Sequence, residues 1–138
     1  MKEGDVILTP LPQADGQVKN RPAVLLRKLP PFGDFLACGV STQLRQAVPD
    51  FDEVLSRTDS DFVTSGLLAD SVIRLGFLAV LPPKRIIGAI GRLSSERHAR
   101  LLRNLSRYLA AEVIESVATA SAASSTRASS MNRLPSSD

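Results

Sequence analysis

The hydropathy pattern is organised around a run with no polar face, Ala23-Val24-Leu25-Leu26, entered through Asn20-Arg21-Pro22. Such a run predicts a strand covered on both sides, in the middle of a small sheet. Proline cannot donate to a ladder, so Pro22 is expected at the first residue of that strand, with Arg21 held just outside the core. Upstream, Gly4 to Thr9 reads as a first strand closed by Pro10 and Pro12, followed by a polar loop from Leu11 to Lys19. Downstream, the apolar strand ends at Leu29-Pro30-Pro31, and Gly33-Asp34 predicts a hairpin turn. A third strand, Phe35 to Val40, runs straight into the polar patch Ser41-Thr42-Gln43.

The pattern is less regular beyond this point. Phe51 to Leu55 reads as a short edge strand, and Asp61 to Gly66 as a turn or a single helical turn. Ser71 to Leu75 alternates weakly and predicts a further strand, and Pro82-Pro83 breaks the chain. Ile86 to Leu93 reads as the last strand, with Gly88 and Gly91 suggesting a bend or bulge. Those glycines do not precede a helix, so they form no phosphate loop. Ser94 is placed to cap a helix that has Glu96 in its first turn. Leu101, Leu102, Leu105, Leu109 and Val113 form one apolar stripe, and Arg97, Arg100, Arg103 and Arg107 share the other side. Short strands, glycine and proline turns and one closing helix imply a mainly β fold, a small, strongly bent antiparallel barrel. The domain is expected over 1–116. The Ser- and Ala-rich remainder, 117–138, buries too little apolar area to offset its chain entropy and is expected to be a disordered tail.

Composition narrows the chemistry. The 138 residues suit one domain with a single modest core. The net charge of +3 leans mildly towards an acidic partner. One cysteine, Cys38, excludes an internal disulfide framework and fits a reducing cytoplasm. One histidine, His98, rules out a multi-histidine metal site, and no cofactor motif is present. No apolar run approaches membrane-spanning length. The acidic residues Asp50, Asp52, Glu53, Asp59 and Asp61 crowd one region but lack the calcium-loop order, so a solvated loop is expected there. The four-arginine helix face reads as solvated, or as a docking face for an acidic partner.

Several segments together carry a resemblance. Gly4-Asp5-Val6 opens the chain, and Arg21-Pro22-Ala23-Val24-Leu25-Leu26 follows the polar loop. Val40-Ser41-Thr42-Gln43, Ser65-Gly66-Leu67-Leu68, Ser71-Val72-Ile73-Arg74-Leu75 and Ile90-Gly91-Arg92-Leu93-Ser94 come after them in order. Over roughly residues 3–110 the chain resembles the MazF/PemK-like toxins of bacterial type II toxin–antitoxin systems. The resemblance implies an SH3-like barrel of the CcdB/PemK kind with a C-terminal helix, acting as a cytoplasmic homodimer. It also implies metal-independent cleavage of single-stranded RNA by attack of the ribose 2′-hydroxyl, and neutralisation by a cognate acidic antitoxin.

The family's catalytic arginine and hydroxyl fall at Arg21 and Ser41, with Thr42 beside the latter, and a further arginine at Arg74. Gly76 departs from the pattern, because many relatives carry an acidic residue just after the Arg-Leu pair. In-line transfer passes through a phosphorane with added negative charge, which a bidentate Arg21 would bind and Ser41 would support. Preorganised donors of this kind contribute roughly 3–4 kcal/mol each. Arg74 would hold a neighbouring phosphate, and Gln43 would position a base. Asp15, in the polar loop, is the candidate base and a substrate contact. The competing expectations are a non-catalytic barrel that binds RNA or protein, and a toxin acting on a protein target such as gyrase.

Overall fold

A computed structural model describes residues 1–124, with side chains through residue 111. Six antiparallel strands form one curled sheet: β1 (Asp5–Pro12), β2 (Val18–Leu29), β3 (Asp34–Ser41), β4 (Glu53–Leu55), β5 (Ser71–Leu81) and β6 (Gly88–Arg92). Their order is β4-β5-β3-β2-β1-β6. A one-turn helix, α1 (Phe62–Ser65), lies between β4 and β5, and a long helix, α2 (Ser95–Ser124), follows β6. The mainly β, half-barrel architecture with one principal C-terminal helix is the one the pattern predicts.

The apolar run is central, as expected. Val24 and Leu26 join Val6, Ile73, Leu75 and the α2 residues Leu101 and Leu105 in one cluster. Ala23 and Leu25 face the other way, into a second cluster with Ile7, Phe35, Leu81 and Ile86. Alternate residues of β2 therefore serve two cores, and neither alternating set has room for a polar side chain.

The strand ends differ from the expectation at the prolines. Pro22 is the fifth residue of β2, paired with Leu8, rather than its first. Pro10 lies inside β1 rather than closing it, and Pro12 is the strand's last residue. The reason is the register. Pairing between β2 and β3 begins at Ala23–Gly39, so at Pro22 the strand has β1 on one side only. Likewise β6 covers β1 only as far as Leu8, so Pro10 and Pro12 face β2 alone. A residue without an N–H is tolerated where one side of the strand is unpaired.

Two irregularities shape the curl. Between the pairs Gly39–Arg74 and Cys38–Leu78, β5 carries three extra residues, Leu75 to Phe77, and the Leu75 N–H donates to Asp52 Oδ1 at 3.0 Å. Gly76 sits at this bulge with open space where a side chain would be. At β6, Ile90 is the extra residue between the pairs Val6–Gly91 and Ile7–Ala89, the bulge that the glycines suggested. A Cβ on Gly91 would collide with the Thr64 and Ser65 carbonyls, and one on Gly66 with that of Ile90. The close approach of these two segments brings α1 against the β6 edge of the sheet.

The acidic region and the helix arginines correct two expectations together. Arg97 is buried, not part of a solvated face. Its guanidinium meets Asp61 at 2.9 Å, Glu53 at 3.0 Å and Asp59 at 3.1 Å. Asp61 is also buried and accepts the Ser94 N–H at 3.1 Å. Burial alone would raise the Asp61 carboxyl; the hydrogen bonds from Arg97 and Ser94 and the arginine's charge overcome that and lower it to about 2. Asp52 caps the Val48 N–H as well as bonding Leu75. So much of the acidic segment is structural, clasping the start of α2 to α1 and β4. Arg100 also pairs with Glu53, at 3.1 Å.

Ser94 caps α2 as read from the sequence, accepting the Arg97 N–H at 3.2 Å. His98 Nε2 lies 2.8 Å from the Leu26 carbonyl and ties the helix to β2. The predicted stripe is buried at Leu101 and Leu105, but Leu109 is 65% exposed, and the Val113 side chain lies outside the described part. The backbone of α2 continues through the first residues of the expected tail to Ser124, over an alanine-rich stretch of high helix propensity. The rest of that tail, 125–138, lies outside the described residues.

Candidate active site

The β2–β3 register determines which side chains meet. Continuing from Ala23–Gly39 towards the end of β3 brings Arg21 level with Ser41, and Ser41 in turn pairs with Val72 of β5. Arg74 faces Gly39. Three residues far apart in sequence thus stand on neighbouring strands at one end of the sheet.

Two adjoining grooves share Arg21, Ser41 and Gln43. One, of about 550 Å³, also takes in Thr42 and has an apolar wall that includes Leu8, Leu67, Leu68 and Ile90. Leu68 is almost fully exposed at its rim. The other, of about 280 Å³, contains Gln13, Gln46, Arg74 and Phe77. Neither groove has a carboxylate among its described lining residues. With two arginines and several amides and hydroxyls, the site suits an anion that presents oxygen acceptors.

Of the candidates read from the sequence, Arg21, Ser41, Thr42, Gln43 and Arg74 converge here. Asp15 does not. It lines neither groove, and its Oδ1 accepts the Gln17 N–H at 2.9 Å within the β1–β2 turn. His98 lies instead beside the N-terminal segment and the start of α2. Gly76 lines a separate groove, against α2, and is not beside Arg74 there. Arg74 has no ion pair among the described residues.

The hydrogen bonds bring in two residues that sequence reasoning did not single out. Arg21 Nη2 donates to Gln13 Oε1 at 3.0 Å. Ser41 Oγ donates to Gln46 Oε1 at 3.2 Å and accepts the Gln43 N–H at 3.0 Å. Arg21 itself is exposed, so its remaining donors are open to a ligand. Cys38 lies in the core behind the site, where burial pushes its thiol far up, so it is no nucleophile.

The fold and the groove define a small half-barrel protein with a cationic site at one end of its sheet. Residues 2–109 match the family model described as PemK-like, MazF-like toxin of type II toxin–antitoxin system, and the chain belongs to that family. Its fold is similar to that of the Mycobacterium tuberculosis toxin MazF-mt6, with a TM-score of 0.56 and 17% sequence identity over 75% of this chain and 93% of that one. No curated protein matched the sequence. Among the described residues, no helix is long and apolar enough to cross a membrane.

Proposed function

We propose that the protein is a toxin that cleaves single-stranded RNA without a metal, and that the grooves around Arg21 are its active site. The observation that carries this reading is the convergence of Arg21, Ser41 and Arg74 on one groove with no carboxylate among its described lining residues. There the phosphate charge is met by side-chain donors. The ribose 2′-oxygen attacks the adjacent phosphorus, and the bond to the 5′-oxygen of the next nucleotide breaks. The products end in a 2′,3′-cyclic phosphate and a 5′-hydroxyl. Arg21 binds the phosphorane oxygens, Ser41 adds a hydrogen bond, and Arg74 holds a flanking phosphate. Thr42 and Gln43 contact the nucleotide beside it, whose base rests on the apolar wall.

With no carboxylate or histidine among the described residues of the site, water in the open groove takes the 2′ proton and returns one to the leaving oxygen. Catalysis then rests on charge stabilisation, worth about 3–4 kcal/mol per well-placed donor. The family's pairing with an antitoxin suggests the inhibitor: an acidic segment lying in the same grooves. The enzyme works as a homodimer in the cytoplasm. Incubating the purified protein with an in-vitro transcript in EDTA should yield cyclic-phosphate ends, and Arg21→Ala should abolish them. A second reading, a barrel that binds RNA without cutting it, is favoured by the missing base. It requires salt-sensitive binding with no product from the wild type.

A further inference from the structure

We infer that Gln13 is a positioning residue for Arg21, holding one arm of the guanidinium while leaving its full positive charge to the substrate phosphate. This rests on the proposed RNA-cleaving reading. Gln13 is fixed before it acts. Its N–H donates to the Gln17 carbonyl at 2.7 Å, and its own carbonyl accepts the Gly16 N–H at 3.0 Å, closing the β1–β2 loop. Its side-chain Nε2 donates to the Leu11 carbonyl at 3.2 Å. That bond orients the amide so that Oε1 faces Arg21 Nη2 at 3.0 Å.

The choice of a neutral acceptor matters. A carboxylate at this distance would bind the guanidinium more strongly but would neutralise it, and the phosphate would then compete with an internal counter-ion. The loop does contain a carboxylate, Asp15, but that side chain caps the Gln17 N–H within the turn and lines neither groove. An exposed arginine otherwise carries several freely rotating bonds, whose ordering has to be met when the transition state forms. Gln13 meets part of that cost in advance. Its share of the Arg21 donors still leaves the rest of the fork for a phosphate.

The experiment uses the full chain carrying Gln13→Ala or Gln13→Glu, with thermal melts to check that both remain folded. Cleavage of an in-vitro transcript is measured together with binding of a 2′-O-methyl RNA, which cannot be cut. For Gln13→Ala, kcat should fall about ten-fold or more with KM near that of the wild type, because orientation is needed chiefly in the transition state. For Gln13→Glu, binding should weaken, and the slope of log affinity against log salt should become shallower by about 0.7, the loss of one phosphate contact on a single strand. A residue that merely supported the loop would lower the melting temperature of Gln13→Ala and leave the kcat of the folded protein unchanged.

Wild-type turnover by Gln13→Ala, or a wild-type salt slope for Gln13→Glu, overturns the inference while the RNA-cleaving reading stands. A wild-type protein that neither cuts the transcript nor binds the methylated RNA overturns both.

Discussion

Replacing Arg97 with methionine tests whether one buried cation holds the segment that leads into the groove wall. Asp61 begins the turn of α1, and Gly66 to Leu68, directly after it, line the larger groove. Methionine keeps the apolar length of the side chain and deletes the guanidinium, so three carboxylates lose a shared partner. Asp61 matters most. Its side chain is 7% exposed, against 16% for Glu53 and 36% for Asp59, so it cannot recover its hydration by turning outwards.

Removing one partner of a buried ion pair costs about 3–5 kcal/mol. The wild-type carboxyl gives a second measure. It falls from 3.8 to about 2, and at about 1.4 kcal/mol per unit the charged form gains about 2 kcal/mol on folding at neutral pH. The variant loses more than that gain, because Asp61 then bears the cost of burial without a cation. Urea unfolding at neutral pH should therefore show a loss of about 3 kcal/mol or more.

The pH dependence carries the sign. In the wild type the folded Asp61 carboxyl titrates below its unfolded value. Its contribution is complete above 3.8 and is lost as pH falls towards about 2. In the variant, burial holds the folded value above the unfolded one, so the penalty shrinks as pH falls towards 3.8. The two stability curves should converge on acidification. A loss below about 1 kcal/mol, the range of a surface pair, would refute the reasoning, as would a gap that does not change with pH.

Two further substitutions separate binding from folding. Arg74→Ala should raise KM for RNA with kcat little changed, and should make the salt slope shallower by about 0.7, since it removes one phosphate contact; a loss of kcat alone would place Arg74 in the chemistry instead. His98→Ala should lower stability by about 1 kcal/mol through the lost bond to the Leu26 carbonyl, measured by urea unfolding, and leave the cleavage rate of the remaining folded protein unchanged. A fall in that rate would make His98 part of the catalytic machinery.

What was legible in the sequence follows from how local its causes are. The apolar run 23–26, the Gly33-Asp34 hairpin, the Ser94 cap and the glycine bulge of the last strand depend on near neighbours, and all appear in the fold. The extents of β1 and β2 were not legible, because a proline's tolerance in a strand depends on whether a third strand lies beside it, which is a matter of register. Arg97 departs from its expected place for a related cause. Helical spacing put it with the other arginines, and only the fold of residues 53–61 back onto the start of α2 shows that three carboxylates surround it.

The groove divides in the same way. Arg21, Ser41 and Arg74 each sit in a recognisable motif, and the register explains why three separate motifs line one groove. Gln13 and Gln46 belong to no such motif, and each acts through one amide reaching a residue on a neighbouring segment. The β1–β2 turn decides between the two polar residues near its start: it places the Gln13 amide against Arg21 and directs the Asp15 carboxylate into the turn itself. A sequence reading, looking for a base, favours the acid. The fold turns the amide to Arg21, and in the proposed site such a partner would orient the guanidinium without neutralising it.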